Sequence, residues 1–182
     1  MRKSLAIIAL AAAATAAAAQ TPGERLVHAR PAGFVVGHNV SAPEASIEEL
    51  IPQGETVQRW TRMLTTQRFG GTALRMRPEQ LLQTMANGLE SGCPGGKAGP
   101  IRTLTVAGRP AAEFRADCPR NPAQGQPESF FARAIAGTAD LHIVQVAFRR
   151  VPTADDAAFA RKHLDSVALC TGVAKTGPCA SR

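Results

Sequence analysis

The stretch SFFARAIAGTADLHIVQVAFRR, residues 129–150, decides the fold. It reads as two runs rich in aromatic and β-branched residues, 129–137 and 141–150, separated by the polar tripeptide Thr138-Ala139-Asp140. Runs of that length bounded by turn residues predict antiparallel strands joined by a short turn. Along the second run, Val144, Val146 and Phe148 recur with the period of two that places them on one face of a sheet.

Working outward toward the N-terminus, IRTLTVAGRPAAEFRADC (101–118) repeats the pattern. Leu104 and Val106 alternate in one run, and Ala112, Phe114 and Ala116 in the next, with Gly108 at the join. Pro110 falls near the start of the second run, where a strand tolerates it. A polar loop with three prolines, 119–127, connects the two pairs. The economical reading is a four-strand antiparallel meander over 101–150.

Helices flank this meander. RPEQLLQTMANGLESGC (77–93) has Pro78 and Glu79 in its first turn, an apolar face of Leu81, Leu82, Met85 and Leu89, and Gly92 at its end. TADDAAFARKHLDSVALC (153–170) offers Thr153 as a cap, Asp155 and Asp156 near the N-terminus, and a stripe of Phe159, Ala160, His163, Leu164 and Val167. The segment PGGKAGP (94–100) between helix and meander predicts no regular structure.

The first third is less periodic. GFVVGHNV (33–40) reads as a strand, and SAPEASIEELIP (41–52) fits either a short strand or a helical turn. In GETVQRWTRMLTTQRF (54–69), Val57, Trp60 and Leu64 recur at helical spacing behind Thr56, while MLTTQRF has strand composition. A short helical turn leading into a strand accommodates both. The fold class that results is α+β: an antiparallel meander of four to six strands packed by two main helices.

The chain of 182 residues opens MRKSLAIIALAAAATAAAA, with two basic residues, an apolar run and then small residues. That layout predicts a signal peptide over 1–19, cleaved before Gln20; the run is too short to span a bilayer. Residues 20–32, with two prolines, read as a flexible leader, 33–170 as one domain, and 171–182 as a tethered tail. The expected location is periplasmic or secreted.

Four cysteines follow the leader, with 24, 51 and 8 residues between successive ones. An even number without a C-x-x-C pair favours disulfides over a metal site. The preferred pairing is Cys93 with Cys118 and Cys170 with Cys179, because the second closes a short loop that holds the C-terminal end. No cofactor or metal is expected.

The net charge of +7 is basic, and Arg59, Arg62, Arg68, Arg75 and Arg77 cluster around the single tryptophan. Export argues against nucleic acid, so these arginines predict a binding surface for an envelope protein or an anionic ligand. No nucleophile motif or metal-ligating His pair is present. His142 and His163 are the pair on which a small periplasmic hydrolase would rest, and Glu48, Glu49 and Glu55 the carboxylates a glycosidase would need. A noncatalytic accessory or binding domain is the leading expectation, with the hydrolase and an inhibitor or immunity-type protein as alternatives.

The run IPQGETVQRWTRMLTTQRF, the Cys93-Pro94 pair, IRTLTVAGRPAAEF with DCPRN after it, and LHIVQVAFR resemble a family of small secreted bacterial proteins of uncharacterised function. At fold level the element order is similar to the PsbP-like and DcrB-like α/β/α sandwich. That resemblance implies an antiparallel sheet between helices and a mostly noncatalytic, accessory or binding role.

Overall fold

The computed structural model describes residues 24–171 and Cys179. The expected signal peptide and most of the expected tail lie outside the described residues. The order is β1 (Arg25–Val27), β2 (Phe34–Ser41), β3 (Ala45–Pro52), β4 (Arg62–Phe69), α1 (Pro78–Gly92), β5 (Lys97–Ala98), β6 (Arg102–Val106), β7 (Arg109–Cys118), β8 (Glu128–Ala136), β9 (Leu141–Phe148), α2 (Ala154–Asp165) and β10 (Ala168–Cys170). A short 3₁₀ turn at Thr72–Leu74 leads into α1.

The meander forms as the sequence predicts, β6-β7-β8-β9, with antiparallel register throughout. Its first hairpin closes on Ala107 and Gly108, whose φ angles of 49° and 76° are both positive. Two successive positive φ values define the type I′ turn, whose twist matches that of the flanking strands; glycine at the second position removes the Cβ penalty there.

The sheet is larger than four to six strands. It has eight, because β4 pairs along its whole length with β9 and brings β3 and β2 with it; β5 joins β6 on the far side of β7. Both residues of β5 come from the glycine-rich segment expected to lack structure. Segment 45–52 resolves as strand β3, not as a helical turn, since it is held between β2 and β4.

Each face of the sheet carries its own core. On one, Leu82 and Ala86 of α1 pack on Met63, Phe114, Phe130 and a floor of alanines, including Ala112, Ala132 and Ala134. Those small side chains let the helix approach the sheet closely. On the other, Ala160 and Leu164 of α2 pack on Leu50, Leu64, Val144, Val146 and Phe148. This is an α/β/α sandwich within the α+β class. Coverage on both faces explains why β8 and β9 are buried almost continuously, without the polar-out alternation of a half-exposed sheet.

The helices begin as their sequences dictate. At α1 the Gln80 side chain accepts from the Arg77 N–H at 2.9 Å, with Pro78 in the first turn. At α2 the Thr153 hydroxyl accepts from the Asp156 N–H at 3.2 Å, and Asp156 accepts back from the Thr153 N–H at 3.1 Å. The helix stops at Asp165, however, and the end of the segment read as helix turns back as β10.

Two further expectations are corrected. Part of the leader is a strand: Arg25–Val27 pairs with β10, and Glu24 accepts from the Thr138 N–H at 2.7 Å. Gly137 leaves room for that carboxylate, since any Cβ there would coincide with it. The helical turn around Trp60 is also absent. Thr56 and Arg59 instead form a backbone bridge, a tight turn before β4. The helical spacing was coincidental, because Val57 and Trp60 pack with the α1 core while Leu64 belongs to the α2 core.

Both disulfides form the preferred pairs. Cys93–Cys118 ties the end of α1 to the end of β7, and Cys170–Cys179 holds the C-terminal side beside β1. The first closes a loop worth about 3 kcal/mol by chain entropy. Two disulfides fit folding in an oxidising compartment. Among the described residues, no helix is long and apolar enough to cross a membrane.

Candidate functional site

Alternation along β6, β7 and β8 aims Arg102, Glu113, Arg115, Phe131 and Arg133 to the α2 face, opposite Phe114 and Phe130. Helix α2 lies over β9 and β8, and beyond it the sheet runs on. A cleft of about 390 Å³ opens there, with Gly99, Pro100 and Arg102 on one side and Ala157, Ala158 and Arg161 of α2 on the other. Its volume falls in the range of small-molecule sites.

The floor is held by Arg133, which is 6% exposed. It donates to Glu113 at 2.7 Å, to the Leu164 carbonyl at 2.7 Å and to Asp165 at 3.0 Å. This guanidinium therefore fixes the last turn of α2 against β7 and β8. Arg115 pairs with Asp117 at 2.8 Å and lies 5.4 Å from the Phe131 ring centre. Arg102 and Arg161 make no ion pair among the described residues. Two compensated arginines thus line the cleft, and two without an ion pair among the described residues stand on its β6 and α2 sides.

The arginines expected to form one surface around Trp60 are dispersed. Arg62 reaches Asp156 at 2.9 Å and stacks 4.2 Å from the Phe159 ring centre. Arg68 donates to Asp140 at 3.1 Å and to the carbonyls of Ala42 and Pro43. Arg77 pairs with Glu79 at the start of α1, on the opposite face of the sheet, and draws that carboxyl below its usual range. Arg59 and Arg75 remain exposed on separate turns.

Neither histidine of the hydrolase alternative has a carboxylate hydrogen bond among the described residues. His142 is buried on β9, and burial lowers its pKa, with Glu24 and Asp140 opposing and Arg68 assisting. His163 meets His28 edge-on at 5.1 Å, and His28 shares a hydrogen bond with the Thr66 hydroxyl at 3.2 Å. Burial first, and His28 second, hold the His163 imidazole down to about 4. Glu48, Glu49 and Glu55 do not converge either: adjacent residues of β3 point to opposite faces, and Glu55 accepts from Thr61 at 2.7 Å.

The His163 environment has a measurable consequence. Unfolded, the imidazole takes a proton near its usual 6.5; folded, only near 4, so stability present above pH 6.5 declines as pH falls through that window. The loss reaches about 3 kcal/mol at pH 4. Urea titrations at pH 7, 5.5 and 4 should show this fall in the wild type and at least half of it gone in His163→Gln; an unchanged slope in the variant would refute the assignment.

No family model matches the chain, and no curated protein does. Solved structures do. The Saccharomyces cerevisiae Ran-binding protein Mog1p aligns at 11% identity with a TM-score of 0.54, covering 81% of this chain and 95% of its own. A variant of Mog1 aligns at 10% identity with a TM-score of 0.50, over 81% and 96% of the two chains. The chain shares its fold with Mog1p. At such identity the likeness establishes the α+β sandwich alone.

The cleft residues carry signals that the sequence reading passed over. Arg133 is a lone charge inside the apolar run SFFARAIAG, which a buried, paired guanidinium explains. Glu113, Arg115 and Asp117 alternate with apolar residues, marking one charged face of β7. What no spacing indicates is that Arg161, on a helix much later in the chain, stands opposite them.

Proposed function

We propose that the protein is an exported, noncatalytic binding domain whose ligand is anionic and sits in the cleft between α2 and β6–β8. The observation that carries this reading is the convergence of Arg102, Arg115, Arg133 and Arg161 on one cleft with apolar walls. A concave site of that size, with few charged groups fixed by packing, is the usual form of a small-ligand site. The N-terminal layout and the two disulfides support a periplasmic or secreted location, and the motifs resembling small secreted bacterial proteins support a bacterial envelope setting. Mog1p, described as Ran-binding, is an example of this fold serving recognition; its partner does not carry over.

The test is an amide chemical-shift titration of the disulfide-bonded domain with acetate and with inorganic phosphate. Shifts are expected to concentrate at Gly99, Glu113, Ala157 and Ala158 and to vanish in an Arg102→Glu/Arg161→Glu variant of unchanged melting temperature. Shifts spread over Arg59, Arg75 and other exposed arginines, with none in the cleft, would overturn the reading.

A further inference from the structure

The cleft's charge balance and its walls specify the ligand more closely, given the anion-binding reading above. We infer that it takes a single-chain amphiphilic monoanion: one carboxylate on a hydrocarbon body, of the size of a medium-chain fatty acid.

The charge argument comes first. Arg133 is neutralised by Glu113 and Asp165, and Arg115 by Asp117. Both guanidiniums are already hydrogen-bonded, and Arg133 has its carbonyl contact as well. The positive charge that remains available lies on Arg102 and Arg161, on opposite walls. Between them stands Glu113, the register partner of Arg102. A diphosphate or nucleotide would bring two or more negative charges against that carboxylate, in a site whose other cations are taken. A single carboxylate bridging Arg102 and Arg161 matches the available charge and suits the planar, forked guanidinium geometry.

The walls argue for the rest of the molecule. Pro100, Phe131, Ala157, Ala158 and Leu164 line the cleft with carbon, and Arg115 presents its guanidinium to the Phe131 ring. A small hydrophilic anion would leave this surface wet, whereas a hydrocarbon chain removes it from water. The volume of about 390 Å³ lies toward the lower end of the ligand-site range, which suits one chain and excludes a two-chain lipid from full burial.

The experiment is calorimetric titration of the intact, disulfide-bonded domain with decanoate, decanol and acetate, paired with the amide titration above. Decanoate should bind at least about a hundredfold more tightly than acetate, through burial of its chain, and at least about tenfold more tightly than decanol, through the carboxylate. Ala158→Trp, which fills the cleft from an exposed helix position, should abolish decanoate binding with no change in melting temperature. Arg102→Gln/Arg161→Gln should bring decanoate down to the affinity of decanol. If acetate and phosphate shift the cleft amides but decanoate binds no more tightly than acetate, the amphiphile inference fails while the anion site stands. If neither acetate nor decanoate shifts those amides, the anion site itself fails. Decanol binding equal to decanoate would overturn the role of the arginine pair.

Discussion

Asp156→Ala is expected to lower the unfolding free energy by about 3–5 kcal/mol, the range for removing one partner of a buried ion pair, and the melting temperature by roughly 10 °C. The carboxylate is 1% exposed and accepts from two guanidiniums. Arg150 donates to it twice, at 2.7 and 2.9 Å, and Arg62 once, at 2.9 Å. It also accepts from the Thr153 N–H and hydroxyl. One side chain therefore joins the start of β4, the loop after β9 and the first turn of α2. Removing it leaves Arg62 half-buried without its anion and strips α2 of half its capping box. The Arg150 hydrogen bonds hold the Asp156 carboxyl well below its usual 3.8. The cluster's stability is therefore present above that value and is lost only as pH falls below it, beyond the His163 window. Arg150→Ala should cost less, because that guanidinium is 47% exposed and water screens the pair. Urea titration at pH 7 is the measurement, and a loss under about 1 kcal/mol for Asp156→Ala would contradict this account.

The second large effect is Trp60→Ala, expected to cost about 3–5 kcal/mol, as truncation of a buried aromatic does. Trp60 is 7% exposed within the α1-side core, and the Arg149 guanidinium lies 4.4 Å from its ring centre while donating to the Gln58 carbonyl at 2.7 Å. The cleft lies on the opposite face of the sheet. Calorimetric melting should therefore show the loss while decanoate affinity stays within about twofold, as distant sites are nearly additive. Normal melting with impaired binding would move the site to Trp60.

Much of this architecture was legible because local signals agreed with the tertiary outcome. The α2 cap at Thr153, the α1 apolar face and the alternating runs of β6–β9 are each set by residues near one another in sequence. The pairing of Cys93 with Cys118 is of the same kind, since it joins the end of one such element to the end of another. What could not be read depends on contacts between distant segments. Leu64 and Trp60 share a helical spacing, yet Trp60 sits in the turn before β4 and Leu64 inside that strand, so the two enter different cores. Arg25–Val27 carries no strand signal of its own and becomes a strand because β10 lies beside it. The arginine count around Trp60 was visible, but not that Arg62 and Arg68 would find Asp156 and Asp140. The cleft is likewise assembled from β6, β7, β8 and α2, and only the sheet register brings their charges together.

The ladder between β4 and β9 also has a consequence for how the chain reaches this state. β2 through β4 close by local turns, and so do β6 through β9; only β4–β9 welds the two blocks into one sheet. Forming that seam requires closing a loop that contains α1 and most of the second block, the costliest closure in the large sheet. A chain emerging from its N-terminus therefore completes its first block with β4 as an open edge, and holds it so until β9 arrives. An eight-residue edge in waiting is a template for pairing with another molecule. The middle of the finished sheet, its best protected part, is the point at which the incomplete chain is most exposed to aggregation.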